Sequence, residues 1–555
     1  MGIFKDSTIA HYVKVVKESP RELIANRHLL LTVGFYALGG IPLCEFLLDI
    51  PRKQNMSIET DLFMLGWDQG SSSVVTSLPG FQKAFGLSSA TNPTEIANFV
   101  SFVYIGAGVG SGLSFFTNDR LGRLWSMRLY LAVWTIGQFI AIFASGNLGA
   151  LYAARIVSGM GIGALTVIGP VGIVEVAPAE FRGLLAVWFS VAMLLSLTLS
   201  CLVVLASYLH VAAGPMQFQL VFFIPLIIMA LVVAGSFFFC YESPRWLFVV
   251  GRKDDAVKTL VTLRGLPATH PRVSSELEAI QAELDSQKTI RSGFVAATKE
   301  TFLVPSNLRR LQQAILSYLL AQLSGANSVT SYLVPILAMV GVQGGTEKSL
   351  FLTSMYSMCK FFFTIMASFF FIDALGRRRS LFLGITIQMI SDIYLGAFIK
   401  YKQEGPVSAN AGQAGIAMIF IHGFGFTIGL LVLPYVFHAE LWPNQIRSYG
   451  ASMTQFCHWL FYFGINKGMP PLLSSTNNWG AFLFFAGWCF IALFYTFFVV
   501  PETSGASLED LNSLFEQPIW KAYQTSKKFN KPTDIEARET DTDNCSILTQ
   551  NKPKE

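Results

Sequence analysis

The chain has 555 residues, of which 52% are hydrophobic and only 14% are charged. Soluble proteins carry about 25% charged residues, so this composition excludes an ordinary soluble domain and predicts a protein of the lipid bilayer. The net charge of +5 does not indicate nucleic-acid binding, because Lys and Arg fall in short loops beside apolar stretches. The seven cysteines lack metal-ligand spacing. No nucleotide, metal or nucleophile motif is present, so neither a cofactor nor enzymatic activity is expected.

Apolar runs of about 20 residues, the length that crosses a bilayer as a helix, predict twelve transmembrane spans. The first begins near residue 30 and ends near residue 80. Five more follow at about 97–117, 126–145, 149–172, 184–207 and 218–240. The last six lie at about 311–339, 350–372, 379–400, 412–438, 450–472 and 479–500.

These spans predict an all-α membrane protein with two six-helix bundles. The predicted parts are a cytoplasmic N-terminus (1–28), an N-terminal bundle (29–241), a helical cytoplasmic linker (242–308), a C-terminal bundle (309–501) and a largely disordered cytoplasmic tail (502–555). Basic residues set the orientation, because cytoplasmic loops carry an excess of Lys and Arg. They concentrate in alternate loops, which places both termini inside. No cleavable signal peptide is evident, and the plasma membrane is the expected location.

Residues 41–62 interrupt the first span. They include Glu45, Asp49, Arg52 and Lys53, and a charge at the bilayer centre costs about 2.5–3.5 kcal/mol. The segment therefore cannot lie in the membrane as part of one straight helix. Its deletion would join the two apolar pieces into a continuous span. Two interpretations stay open: a retained intron or another error in the gene structure, and a broken first helix with an extruded loop.

Three charged motifs occur twice, in the same order. D-R-L-G-R at 119–123 returns as D-A-L-G-R-R at 373–378. The spacing E-x-x-P-x-x-x-R at 175–182 returns at 440–447, and E-S-P-R at 242–245 returns loosely as P-E-T-S-G at 501–505. A duplicated pattern between apolar stretches indicates a two-bundle transporter, in which one half moves against the other around a central site.

The charged residues of these repeats predict a cytoplasmic latch, in which Arg side chains face carboxylates at neighbouring span ends. Such a network would hold when the cytoplasmic side is closed and break when it opens. Plain positive-inside anchoring is the alternative. The predicted latch residues are Asp119, Arg120, Arg123, Glu175, Arg182, Glu242, Arg245, Asp373, Arg377, Arg378, Glu440, Arg447 and Glu502.

The chain resembles the sugar porter family of the major facilitator superfamily over about residues 29–515. Besides the repeats, the resemblance rests on G-W-D-Q-G at 66–70, R-I-V-S-G-M-G-I-G at 155–163 and Q-L-S-G-A-N at 322–327. The last motif and the Cys359-Lys360 region look most like the fungal branch of hexose, quinate and sugar-acid transporters. The resemblance implies the major facilitator fold, a monomer that works by alternating access, and a sugar or sugar-derived carboxylate and protons as partners.

The resemblance also places the substrate between the two halves, near the midplane of the bilayer. Side-chain amides can donate to and accept from hydroxyl groups, and aromatic faces suit the C–H surface of a polyol ring. The alternative role of such amides is polar contact between helices. The implied substrate-binding residues are Ser190, Gln322, Asn327, Lys360, Tyr435, His458 and Trp459. Ser190, Ala321 and Phe361 stand where glucose-type members carry amides, which argues against simple glucose recognition.

Lys360 lies thirteen residues before Asp373, about 20 Å along a helix, and therefore near the membrane centre. An ionisable residue there is a functional candidate. A substrate carboxylate, as in a quinate-like or galacturonate-like solute, would supply its partner, and a structural ion pair is the alternative. Asp392, in the ninth span, is expected to be peripheral.

Asp68 and Arg155 are the implied proton-coupling residues. In proton symporters of the family an Asp at this position of G-x-D-x-G opposes an Arg that begins R-x-x-x-G. Burial raises a carboxyl pKa and a nearby Arg lowers it, so such a pair can exchange a proton as the cavity opens and closes. A static structural pair is the alternative. The predicted function is a proton symporter for a sugar or sugar acid, with a facilitative carrier, a nutrient transceptor and a secondary-metabolite exporter as alternatives.

Overall fold

All regular secondary structure in the described residues of the computed structural model is helical. The structure describes residues 61–87, 92–144, 146–178, 182–287, 294–367, 376–431, 434–435, 441–443, 446–502 and 514–517. The N-terminal bundle holds α1 (Asp61–Val75), the short α2 (Pro79–Phe85), α3 (Pro93–Leu121), α4 (Arg123–Phe143), α5 (Leu148–Val176), α6 (Arg182–His210) and α7 (Pro215–Phe239).

The described residues of the linker form four helices: α8 (Pro244–Val249), α9 (Lys253–Arg264), α10 (Pro271–Gln287) and α11 (Phe294–Leu303). The C-terminal bundle starts with α12 (Pro305–Leu323), α13 (Ala326–Ser331) and α14 (Leu333–Val340). It continues with α15 (Gly345–Met366), α16 (Arg377–Glu404), α17 (Ala409–Phe426), a π-helix (Thr427–Leu431), α18 (Arg447–Ser475) and α19 (Trp479–Phe498).

Nine helices of the described chain are long and apolar enough to cross a membrane. The three other predicted spans correspond to α1, to the broken series α12–α14 and to α18, which has two internal prolines (Pro470 and Pro471). The hypothesis about residues 41–62 lies outside the described residues, except that α1 begins at Asp61.

Glycines allow helices of the N-terminal bundle to touch backbone to backbone. A Cβ atom added at Gly163 of α5 would stand 1.8 Å from the Ala107 carbonyl oxygen of α3, and one at Gly110 would stand 1.9 Å from the Met160 carbonyl oxygen. Small residues at a helix contact are how membrane helices gain packing energy, because lipid supplies no hydrophobic drive between them. This contact fixes α3 against α5, the helix that carries Arg155.

The seventh predicted span is broken inside the Q-L-S-G-A-N motif. α12 ends at Leu323, Gly325 has a left-handed backbone (φ 80°), and α13 starts at Ala326. Irregular backbone at membrane depth is tolerated where it is buried in protein or lines a cavity. The break therefore marks the place where this span contributes to a site.

The two halves contact each other along α3 and α18. At one end Ser114 Oγ lies 3.2 Å from Ser452 Oγ. In the middle the Tyr104 ring lies 3.9 Å from the Tyr462 ring, centroid to centroid, and at the other end Lys467 donates to Asn98. Contacts over the full length of these helices close this face of the molecule on both sides of its centre.

Candidate functional site

A small cavity of about 30 Å³ lies at the centre, between the two halves. That is room for one or two waters and far below the roughly 300–1,000 Å³ of small-molecule pockets. Among the described residues, the halves therefore lie too close together around the site to hold a sugar, which needs them to move apart. The cavity is lined by Leu65, Gln69, Met193, Leu194, Tyr318, Ala321, Gln322, Asn327, Lys360, Phe426, Leu430, Leu431, Tyr435, His458, Trp459 and Tyr462.

The broken seventh span supplies two amides to the cavity wall. Asn327 Nδ2 donates to Gln322 Oε1 at 3.0 Å, across the break at Gly325. Gln322 Nε2 is buried without a hydrogen-bond partner among the described residues. The pair thus keeps an amide donor and acceptor capacity directed at the cavity, which suits a hydroxyl-bearing solute.

Lys360 is the cationic residue of the cavity wall. It is 1% exposed, and its Nζ donates to Thr330 Oγ1 at 3.2 Å. Its ammonium also lies 5.6 Å from the Tyr356 ring centroid and 5.3 Å from that of Phe426, distances at which aromatic faces attract a cation. Among the described residues no carboxylate lies within 4.0 Å of it.

Aromatic side chains form another part of the wall. The His458 ring packs edge-on against Tyr318 (4.3 Å between centroids) and against Trp459 (4.7 Å), and Tyr435 packs against Tyr318 at 5.6 Å. Trp459 Nε1 donates to Thr166 Oγ1 of α5 at 3.3 Å. This wall combines a flat apolar surface with hydroxyl and imidazole groups, the combination that a polyol ring requires.

Asp68 and Arg155 form a buried ion pair next to the cavity. Arg155 Nη1 lies 2.5 Å from Asp68 Oδ1, and Arg155 Nη2 lies 3.0 Å from Asp68 Oδ2. The guanidinium also donates to the Phe99 carbonyl and to Ser72 Oγ. The residue after Asp68 is Gln69, which lines the cavity and donates to the Tyr462 hydroxyl at 2.5 Å. The ion pair is thus joined through one residue to a contact between the halves.

Six of the seven predicted substrate-binding residues line this cavity, and Ser190 does not. Ser190 is buried on α6, away from the cavity wall in this conformation. Three polar wall residues were not predicted: Gln69, Tyr318 and Tyr462. Gln69 could have been found from its place in G-W-D-Q-G, whereas nothing in the sequence singles out the two tyrosines. Asp392, expected to be peripheral, is completely buried, although outside the cavity.

The first copy of the charged repeats forms a connected network. Arg123 Nε and Nη2 donate to the two oxygens of Glu175 at 2.9 and 2.7 Å, and its Nη1 donates to Asp119 Oδ1 at 3.3 Å. Ser448 of the other half donates to the same Asp119 oxygen at 3.2 Å. Burial alone would raise the pKa of Glu175, but the Arg123 guanidinium outweighs it and holds that pKa below its usual value.

Glu242 caps the N-terminus of α4. Its carboxylate accepts from the backbone N–H groups of Arg123 (2.9 Å) and Leu124 (3.1 Å), where the helix dipole favours a negative charge. Burial raises the pKa of Glu242, against the opposing effect of these hydrogen bonds. Gly122, with φ 88°, leaves room for the carboxylate, because a Cβ there would lie 2.5 Å from Glu242 Oε2.

The second copy repeats this cap. Glu502 accepts from the backbone N–H groups of Arg377 (3.0 Å) and Arg378 (3.2 Å), beside Gly376 with φ 86°.

The other predicted latch residues have different surroundings. Arg120 is exposed, Arg245 is half-buried beside Glu175, and Arg447 donates to the Trp442 carbonyl. Asp373, Glu440 and the Arg182 side chain lie outside the described residues.

The linker adds one contact that the sequence did not reveal. Arg264 of α9 donates to both oxygens of Glu276 on α10 at 2.9 and 2.7 Å. Its Nη1 also donates to the Val176 carbonyl at the end of α5, at 2.9 Å. The linker is thereby joined to the helix that carries both Glu175 and Arg155.

Comparison with known proteins decides the family. Residues 55–515 match the family described as "Sugar (and other) transporter". The chain belongs to this sugar transporter family. The protein is therefore a multi-pass membrane transporter of the major facilitator superfamily and not an enzyme, as the resemblance implied.

Two permeases are among the relatives of the transporter. A probable quinate permease of Neosartorya fischeri is 29% identical over 473 residues, which cover 83% of this chain and 87% of that protein. The quinate permease of Emericella nidulans is 28% identical over 469 residues, covering 83% and 87%.

Solved structures confirm the fold. The proton:xylose symporter XylE, bound to 6-bromo-6-deoxy-D-glucose, superimposes with a TM-score of 0.69 at 20% identity, over 82% of this transporter and 97% of that chain. XylE from E. coli in a partially occluded inward-open conformation gives 0.66 at 18% identity, over 87% and 99%. The predicted all-α major facilitator fold is thus confirmed.

Proposed function

We propose that the transporter is a proton symporter that imports a sugar or a sugar-derived carboxylate by alternating access. The observation that carries this proposal is the buried Asp68–Arg155 pair beside the central cavity. We also propose that it works as a monomer in the plasma membrane. The distribution of basic residues supports an orientation with both termini and the linker in the cytoplasm.

The geometry of Asp68 supports a proton step. Its two oxygens accept hydrogen bonds from Arg155, and the Asp68 carbonyl accepts from Ser72 Oγ at 2.6 Å. Protonation of the carboxylate removes the charge that holds Arg155. Because Gln69 follows directly and donates to Tyr462 of the other half, a shift of α1 on protonation reaches the contact that closes the cavity. The proton bound to Asp68 is then carried by the N-terminal bundle as that bundle moves against the C-terminal one.

The chemistry of the cavity supports a hydroxylated solute with a negative charge. Gln322 and Asn327 offer amides, and Tyr435, His458 and Trp459 offer an aromatic wall. Lys360 is a buried cation with no ionised partner in reach among the described residues, and an unpaired buried charge is costly. A substrate carboxylate would supply the missing partner. The relatives named quinate permeases favour a hydroxylated acid, whereas the symporter named for xylose favours a hydroxylated solute without a charge.

The charged repeats support a cytoplasmic latch. Asp119 and Ser448 join the two halves directly, while Glu175, Arg123 and Glu242 hold Asp119 and the α3–α4 turn in place. Opening toward the cytoplasm must break the contact between the halves. The pairs Arg123–Glu175 and Arg264–Glu276 do not cross between the halves, so the helices that they join move together as one rigid body.

The test is uptake of labelled quinate, galacturonate, xylose and glucose into proteoliposomes that hold the purified protein. An inward proton gradient should drive accumulation of at least one acid above its external concentration, and a protonophore should collapse it. Equilibration without accumulation for every solute would instead establish a facilitative carrier. Net efflux of all of them under the same gradient would establish an exporter.

A further inference from the structure

A second buried acid lies inside the C-terminal bundle, outside the central cavity. Asp392 of α16 is 0% exposed and His422 of α17 is 1% exposed. His422 Nε2 lies 3.5 Å from Asp392 Oδ1. Both carboxylate oxygens and both ring nitrogens otherwise lack a hydrogen-bond partner among the described residues. The only ionic partner that either group has in this part of the chain is the other one.

Apart from Lys360 on α15, the described elements around the middle of the pair supply no compensating charge. α13, α14 and the π-helix contain no Asp, Glu, Lys, Arg or His, and α19 contains none either. Apart from Asp392 itself, the charged residues of α16 lie at its two ends, and His422 is the one ionisable residue of α17. The titratable groups that face the pair are Tyr356 of α15 and Cys489 of α19. A carboxylate beside a neutral imidazole would thus leave a bare negative charge in an apolar interior, which is strongly unfavourable.

One added proton removes that charge. It can reside on the carboxyl or on the imidazole, and in both cases the pair is neutral as a whole. The geometry therefore favours a pair that holds one shared proton in the closed conformation.

Tyr356 connects this pair with the cavity. Its ring lies 5.6 Å from Lys360 Nζ, centroid to nitrogen. A Cβ added at Gly423, the residue after His422, would stand 2.8 Å from Tyr356 Cε2 and 3.1 Å from its hydroxyl oxygen. Tyr356 thus lies beside both the cavity lysine and the helix turn that carries His422.

The π-helix gives the pair a means of responding to the cavity. It begins at Thr427, directly after α17, and its Leu430 and Leu431 line the cavity. π-helical turns are rare and often lie at functional sites, where the backbone can change its winding. A change in cavity shape therefore moves α17, and with it His422, relative to Asp392 on α16.

We propose that Asp392 and His422 form a second proton-binding site of this transporter, separate from Asp68. In the closed state, a substrate carboxylate neutralises Lys360 and the pair holds its proton. When the substrate leaves and the π-helix changes its winding, water of the opened cavity reaches the pair and takes up that proton, and the pair becomes carboxylate and neutral imidazole. Binding of the acid and of the proton are reciprocally coupled. This inference rests on the proposed proton symport of an acid.

The test compares proton and substrate fluxes in the same proteoliposomes, with an internal pH dye and labelled quinate or galacturonate. Wild type is compared with Asp392→Asn and His422→Gln, and Ser391→Ala serves as a buried neighbour that touches neither group. Each of the two site variants should lose about one proton per substrate, while Ser391→Ala keeps the wild-type ratio. An unchanged ratio in Asp392→Asn overturns the proposal. If that variant is not recovered, the same ratio in His422→Gln decides in the same way.

The two proposals fail differently. If wild type moves acid with no accompanying proton at all, proton symport itself is wrong. If Asp68→Asn abolishes coupling while both Asp392→Asn and His422→Gln keep the wild-type ratio, only the second site is wrong.

Discussion

Glu242 and Glu502 occupy equivalent positions in the two halves, and each carboxylate accepts two backbone N–H groups at the start of a helix. Glu242 holds Arg123 and Leu124, and Glu502 holds Arg377 and Arg378. A positive-φ glycine precedes each helix. The duplicated motif therefore encodes a helix cap as well as a set of charges.

Replacement of either cap residue by glutamine should lower stability. Glu242→Gln and Glu502→Gln keep an oxygen acceptor but remove the charge that the helix dipole favours. We expect a loss of about 0.5–2 kcal/mol for each, measured by thermal unfolding in detergent. Glu404→Gln is the control, because this residue is exposed at the end of α16. Equal melting temperatures for all three variants and wild type would contradict the capping role.

At neutral pH, Glu175→Gln should lower the free energy of unfolding more than Glu242→Gln or Glu502→Gln does. The reason is that it leaves Arg123 buried with Asp119 as its remaining, weaker partner. Breaking a buried pair costs about 3–5 kcal/mol. Since the pKa of Glu175 is lowered in the folded state, its stabilising effect is present above the unfolded value of about 4.3. That effect is lost as the pH falls through the folded pKa. Unfolding curves between neutral and acid pH should therefore converge for wild type and variant at low pH, and a constant gap would contradict the assignment.

Asn327→Ala removes the amide that contacts Gln322 and faces the cavity. A lost hydrogen bond that leaves buried polar groups unpaired costs about 1–3 kcal/mol, so the apparent KM should rise roughly five- to hundred-fold at normal surface expression. Ser190→Ala is the matched control, since Ser190 is buried outside the cavity wall. Similar KM values for wild type and Asn327→Ala would remove the seventh span from the site, and an equal increase in Ser190→Ala would place Ser190 in it.

Lys360→Ala separates an anionic from a neutral substrate. Removing one partner of a buried charge pair costs about 2–5 kcal/mol, so uptake of an acid should fall well over tenfold. Lys360→Arg keeps the charge but changes its shape and should rescue only partly. Uptake of a neutral sugar should change far less. The measurement is competition of a labelled substrate by quinate, galacturonate and glucose. If Lys360→Ala keeps the acid preference of wild type, Lys360 is structural.

The sequence was informative wherever one local property decides the structure. Helix positions followed from apolar runs, because a bilayer demands a fixed length of apolar chain, and the helices α3 to α7 lie where they were predicted. Gln322 and Asn327 were predicted from a single six-residue motif, and Lys360 was predicted from its position within one span. In each case the residues that supported the prediction lie in one continuous segment of the chain.

The residues that were missed depend on contacts between distant segments. Tyr318 and Tyr462 reach the cavity from α12 and α18, and only the packing of these two helices of the C-terminal bundle brings them together. Asp392 has its partner thirty residues later, on another helix, so its burial could not be read from the ninth span alone. The acceptor role of Glu242 depends on the turn at Gly122, which orients the backbone N–H groups toward it.

Asp68→Asn tests the central proposal most directly, because it removes the ionisable group and keeps the shape of the side chain. In proteoliposomes, wild type should accumulate labelled substrate under an inward proton gradient. Asp68→Asn should fail to accumulate it and still exchange external for internal substrate, since only the proton step is lost. Accumulation by Asp68→Asn at the wild-type level under the same gradient would contradict the assignment of Asp68 as the coupling residue.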